Sequence, residues 1–68
     1  MSPKLYINDV EVKPRDIIFS FRGLPYKFMY LSSNHTKVFA MPVDSNDHFK
    51  TTGMAREYFP SVFSGIIR

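Results

Sequence analysis

Cysteine is absent from this 68-residue chain, which rules out both a disulfide framework and a thiolate metal site. At this length a folded chain buries about 60% of the surface that its unfolded form exposes. A core of that size seldom supplies more than about 5 kcal/mol, so packing must hold the fold without staples. Tryptophan is absent too, which removes the central residue of the usual polyproline-binding groove. No apolar run approaches the ~20 residues of a membrane-spanning helix. Met1 to Ile7 carries one lysine and no long apolar region, so no signal peptide is expected. The lack of cysteine fits a reducing compartment, and the expectation is a soluble cytoplasmic protein with no membrane association.

Helix signals are nearly missing as well. No segment keeps apolar residues at three-four spacing over three turns, and five prolines interrupt the chain. Acidic residues are outnumbered, six against nine basic, which leaves a formal net charge of +3. Solubility alone accounts for such a charge; the sharper reading is an acidic partner. The basic residues are scattered over Lys4, Lys13, Arg15, Arg22, Lys27, Lys37, Lys50, Arg56 and Arg68. Only folding gathers them into a patch.

What the chain does have is aromatic residues, seven Phe and four Tyr, each able to bury a large area. Strand signals recur along its length. Leu5–Ile7 and Val10–Val12 flank Asn8-Asp9, a pair that tolerates the left-handed backbone of a tight hairpin. Pro14 to Asp16 reads as a turn into a strand at Ile17–Phe21, and Gly23 and Pro25 end it. Tyr26 to Ser32 reads as the next strand, followed by a polar hairpin loop. Lys37–Val43 reads as a third, with Pro42 marking an edge or a bulge. Asp44 to Gly53 reads as a mobile loop. Met54–Phe59 pairs back, Pro60–Phe63 makes a tight turn, and Ser64–Arg68 closes the domain. Short strands at this spacing predict an all-β fold, a small barrel or tight sandwich of five to six strands. The expected core is Ile17, Phe19, Phe21, Phe28, Val38, Ala40, Phe59, Val62, Phe63 and Ile66. Strand register is the sensitive step, because a slip of one residue exchanges the two faces.

The residues Pro14, Asp16, Ile17, Phe19, Phe21-Arg22-Gly23, Tyr26, Phe28, Lys37-Val38-Phe39 and Tyr58-Phe59-Pro60-Ser61-Val62-Phe63 carry a resemblance. This pattern resembles a group of small, mostly uncharacterised phage proteins. The resemblance covers residues 14–68 and implies an SH3-like barrel with a 3₁₀ turn before its last strand. On that reading the chain is one domain over 1–68, with 1–13 an N-terminal hairpin addition to a barrel at 14–68. Arg15 departs from the pattern, since such turns usually hold glycine. The resemblance implies no biochemical activity, and one fold hosts many functions.

Catalysis needs a nucleophile beside a base, or paired carboxylates in a cleft. His35 and His48 fall in predicted loops with no such neighbour, and read as solvated. Asp44, Asn46 and Asp47 lack the spacing of a calcium loop and read as an Asx-rich turn. No enzyme activity, metal or cofactor is expected. Polyproline binding is disfavoured: Tyr26, Tyr30, Tyr58 and Pro60 are suitably aromatic or placed, but the acidic reading loop is missing along with tryptophan. Arg22, Tyr26, Lys27, Tyr30, Lys37, Arg56 and Tyr58 are the candidate partner-binding residues. Interleaved in strands, they suit a non-enzymatic protein-interaction module, a phage accessory protein that binds a host or phage protein in the host cytoplasm. The alternative is a small nucleic-acid-binding barrel in which aromatic rings stack on bases and cations meet phosphates. A structural or assembly role ranks third. The expected state is a monomer, or a weak homodimer paired through an edge strand at Val38–Val43.

Overall fold

Asn8 and Asp9 set the first element. Both hold left-handed backbone, with φ of 52° and 64°, as a two-residue type I′ turn requires. They join β1 (Leu5–Ile7) to β2 (Val10–Val12) in the expected hairpin. The computed structural model that shows this describes residues 2–68. Five further strands follow: β3 (Ile17–Phe19), β4 (Pro25–Leu31), β5 (Val38–Pro42), β6 (Arg56–Tyr58) and β7 (Gly65–Ile67). One 3₁₀ turn, Pro60–Phe63, separates β6 from β7, where the sequence placed a tight turn. Among the described residues there is no α-helix, and hence none long and apolar enough to cross a membrane.

The turn between β2 and β3 is closed by the Asp16 N–H, which donates to the Lys13 carbonyl at 3.0 Å. The Asp16 carboxylate accepts from the Lys13 N–H at 2.9 Å. Pro14 supplies the second turn position and Arg15 the third, at φ 76°. Positive φ at the third position defines a type II turn. The Arg15 N–H then donates to the Phe28 carbonyl at 2.6 Å, while the Phe28 N–H donates to the Asp16 carbonyl at 2.9 Å. Two residues thus oppose one, which is a bulge of the kind that normally takes glycine at this place. The next hairpin solves the same problem with the favoured residue. Ser20 and Leu24 close it, and Gly23 holds φ +80°. The Ser20 Oγ accepts from the Arg22 and Leu24 N–H groups.

The strands form two antiparallel sheets, β2-β1-β7 and the meander β3-β4-β5-β6. The all-β expectation holds, with seven strands among the described residues rather than five or six. β5 lies inside its sheet, paired to β4 and β6, so Val38–Val43 is not the expected edge. Pro42 is accommodated because β6 reaches only as far as Ala40; beyond it, the Pro42 carbonyl accepts from the Thr52 N–H. Residues 44–53 are tied back at several points. Val43 bridges Thr51, and the Asp44 N–H donates to the Lys50 carbonyl at 2.8 Å.

Leu5 and Val12 from the first sheet, Ile18, Phe28, Val38 and Ala40 from the second, and Phe63 from the 3₁₀ turn make one buried cluster. Four expected core residues, Phe28, Val38, Ala40 and Phe63, are in it. Four others are exposed: Phe19 (52%), Phe21 (70%), Phe59 (63%) and Ile66 (61%). Ile17 and Val62 are half-buried. The errors at β3 and β7 are single-residue slips. Ile18 pairs with Tyr26 and turns inward, which sends Ile17 and Phe19 to the other face. Ile67 pairs with Leu5 and turns inward, which sends Ile66 out. Gly65 lies so close to the Leu5 side chain that a Cβ there would stand 2.9 Å from it. Phe21 misses the core because it sits on the tip of the β3–β4 hairpin. Phe59 precedes the 3₁₀ turn and alternates with the inward Tyr58.

Truncating Phe63 to Ala should cost about 3–5 kcal/mol, because its ring is fully enclosed. In a domain of this size that leaves the chain largely unfolded; a urea midpoint close to wild type would show that the ring is not part of the core. Arg15→Gly should act in the opposite direction. The left-handed backbone costs a non-glycine residue about 1–2 kcal/mol, and glycine's extra unfolded-state entropy returns part of this. A net gain of up to about 1 kcal/mol is expected, read as a higher urea midpoint with an unchanged slope. A lower midpoint would contradict the turn assignment.

Candidate functional site

The seven candidate residues do not share one surface. Tyr26 and Tyr58 belong to the inner row of the second sheet. Their rings meet edge-on, with centroids 5.2 Å apart. Phe63 meets both edge-on, at 5.3 Å from Tyr26 and 5.8 Å from Tyr58. Burial pushes the Tyr58 phenol above its usual pKa, and the neighbouring Tyr26 hydroxyl adds to the effect. These two tyrosines therefore support the core. They are not free anchors.

Lys27, Tyr30 and Lys37 belong to the outer face. Lys27 alternates with the inward Tyr26 and registers with Ile17 and Met41. The β4–β5 register shifts between Phe28 and Tyr30, and this bulge brings Tyr30 opposite Phe39. The two rings stack, 4.9 Å apart and 18° from parallel. Tyr30 remains 55% exposed despite this contact. Glu57 is the partner of Phe39 on β6, and its carboxylate receives the Lys37 ammonium at 3.1 Å. The same ammonium lies 5.1 Å from the centre of the Phe59 ring. Tyr30, Phe39, Phe59, Lys37 and Glu57 thus form a continuous outer surface of three rings and one neutralised ion pair.

Arg22 and Arg56 lie elsewhere. Arg22 occupies the β3–β4 hairpin tip, its guanidinium 5.6 Å from the centre of the Phe21 ring. Arg56 registers with Ala40 and is exposed at the free edge of β6. The four candidate cations Arg22, Lys27, Lys37 and Arg56 are therefore dispersed. Phe39 and Phe59 are site residues that sequence reasoning missed. Phe39 had a usable signal: with Val38 and Ala40 in the core, alternation puts Phe39 outside beside Tyr30. Phe59 had none, since only the position of the 3₁₀ turn decides its face.

The polar loops serve local structure. Asp44 Oδ1 accepts from the Asn46 N–H at 2.7 Å, and Asp47 Oδ1 from the Phe49 N–H at 3.1 Å, as expected of Asx turns. Ser32, 7% exposed, uses its Oγ to accept from Lys37 N–H and donate to Asn34 Oδ1, which organises the β4–β5 loop. His35 is exposed in that loop at φ 57°. His48 differs from a solvated histidine: it is half-buried and meets Phe19 edge-on at 6.0 Å.

Fold and surface together define a small all-β protein of two antiparallel sheets that displays aromatic rings on the outside of the larger one. Comparison with family models, curated proteins and solved structures gives no match.

Tyr58→Phe keeps the ring and removes the ionisable group. A folded-state pKa above the unfolded value means that the folded chain holds this proton more tightly. That contribution is complete below the unfolded pKa of about 10 and is lost as pH rises through the folded value. Wild type should therefore lose more stability between about pH 9 and pH 11 than Tyr58→Phe, as read from urea midpoints. Equal losses would mean that the phenol is not perturbed.

Proposed function

We propose that this chain is a non-enzymatic protein-interaction module, and that its binding surface is the outer face of the second sheet around Tyr30, Phe39 and Phe59. One observation carries the reading. Tyr30 and Phe59 are largely exposed, and Lys37, the cation among the rings, is already paired with Glu57. Exposed rings beside a neutralised charge suit the desolvated centre of a protein interface, where aromatic anchors dominate the energy. A nucleic-acid surface calls instead for free cations gathered on one face, whereas the candidate cations here are split between the outer face, where Lys37 is already paired, the β6 edge and a hairpin tip.

A three-stranded meander β4-β5-β6, a 3₁₀ turn and a last strand returning to β1 support an SH3-like barrel in a partly open form. The phage-protein resemblance supplies the setting: an accessory protein that engages a host or phage protein.

Tyr30→Ala breaks only an exposed stack, so its stability cost should stay near 1 kcal/mol. In pull-downs from lysate, Tyr30→Ala and Phe59→Ala should each weaken capture of the partner that wild type retains. Lys27→Ala and Arg22→Ala should leave it nearly intact. Sub-micromolar, sequence-tolerant binding of single-stranded oligonucleotides at ~150 mM salt would overturn the reading in favour of the nucleic-acid alternative.

A further inference from the structure

β2 and β3 are consecutive in the chain and joined by a four-residue turn, yet they do not pair with each other. Each is instead the outermost strand of its own sheet. Between them lies an open groove of about 610 Å³. Ile7 and the 66% exposed Val10 offer its accessible apolar surface, over a floor formed by the buried Val12, Ile18 and Phe63.

The groove also has backbone to offer. In an antiparallel ladder, residues alternate between pointing their N–H and C=O at the partner strand and pointing them away. On β3 the partner-facing positions are fixed by the Phe28 N–H bond to Asp16 and the Ser20 N–H bond to Leu24. Ile18 lies between them in the same phase. Ile17 and Phe19 therefore turn both backbone groups toward the open edge. On β2 the two-residue hairpin makes Ile7 and Val10 a bonded pair, so Glu11 turns its groups outward. Extended backbone is the ligand that such an edge recognises.

Charge narrows the choice of occupant. Two acidic residues, Glu11 and Asp16, line the groove, and among the described residues no lysine, arginine or histidine does. This is the reverse of a chain whose formal net charge is +3. Glu11 keeps only a long, partly exposed pair with Lys4 at 3.6 Å, and Asp16 is exposed with one oxygen on the Lys13 N–H. A second copy docking groove to groove would bring two acidic linings together, and a nucleic acid would bring phosphates to one. We infer that the groove between β2 and β3 takes an extended segment of a partner protein, with alternating apolar and basic side chains, paired to the free edge of β3. Apolar residues of the segment pack against Ile7 and Val10; lysines or arginines reach Glu11 and Asp16. The inference rests on the interaction-module reading but uses a different surface from the Tyr30 face.

The test uses the full chain with a dye-labelled heptapeptide alternating lysine and valine, and a matched peptide alternating glutamate and valine. Anisotropy should show the lysine peptide binding at least about tenfold more tightly, and Glu11→Lys should remove most of that preference. Glu11 is partly exposed and its bond to Lys4 is 3.6 Å long, so the substitution should leave the fold intact. In hydrogen exchange on wild type, the Ile17 and Phe19 amides should become protected when the peptide is added. Phe19→Pro deletes one of these donors at an edge position that tolerates proline, and should weaken binding. Absence of peptide binding overturns the inference, and so does equal binding of both peptides. Protection of the same amides by raised protein concentration alone overturns it in favour of a second copy. Peptide-induced shifts confined to Tyr30 and Phe39 would sink the groove while leaving the outer-face reading standing.

Discussion

Phe63 is the ring on which both sheets close. It is 2% exposed, and it comes from neither sheet but from the 3₁₀ turn between β6 and β7. Its position depends on a short run of constraints. Pro60 opens the turn with its fixed φ, and Ser64 ends it in left-handed backbone at φ 55° with its N–H on the Ser61 carbonyl. Gly65 then permits β7 to approach Leu5 at a distance that a side chain would forbid. A second tie holds the turn from outside: the Phe21 N–H donates to the Val62 carbonyl at 2.8 Å. The β3–β4 hairpin tip is thus fastened to the segment that aims the central ring. With no disulfide to share the work, these local restraints and one aromatic cluster hold the two sheets together.

This arrangement explains which parts of the fold were legible in the sequence. Turns were readable because their chemistry is local. Asn8-Asp9, Gly23 and Pro60-Ser61 each announce a backbone geometry that few other residues adopt. Faces were harder. Ile17-Ile18-Phe19 is apolar at every position, so alternation cannot choose between Ile18 and its neighbours. The bulge at Arg15 makes that choice, and Arg15 does not look like a bulge residue. The same holds for Ile66-Ile67, where only the pairing with Leu5 decides. Val38 and Ala40 were legible because Lys37, Phe39 and Met41 leave them the small inward positions.

The candidate site was legible only in part for a related reason. Basic and aromatic residues interleave in β4 and β6, and interleaving alone says nothing about which set faces out. Tyr26 went to the inside because it shares the phase of the buried Phe28, and Tyr58 because it pairs with the buried Val38. Tyr30 went to the outside because the bulge after Phe28 resets the phase of β4. A strand of seven residues thus places its first tyrosine in the core and its second in solvent. Composition and spacing carry no mark of that shift.

The fate of the acidic residues shapes the surface as much as the basic ones do. Asp9, Glu11 and Glu57 are in ion pairs with Arg68, Lys4 and Lys37. Asp16, Asp44 and Asp47 accept turn N–H groups. Every carboxylate side chain therefore has a structural contact, and the excess positive charge rests on Lys13, Arg15, Arg22, Lys27, Lys50 and Arg56. These six occupy turns, loops, the outer face and a free edge, and so are dispersed over the surface. Net positive charge opposes self-association, the hazard that four outer strand edges present. The edges are short, three residues each at β2, β3, β6 and β7, which further limits pairing between copies. What remains attractive on such a surface is specific: three outward rings around one satisfied ion pair, and one acid-lined groove. Both belong to the proposed interaction role, and neither gathers free positive charge.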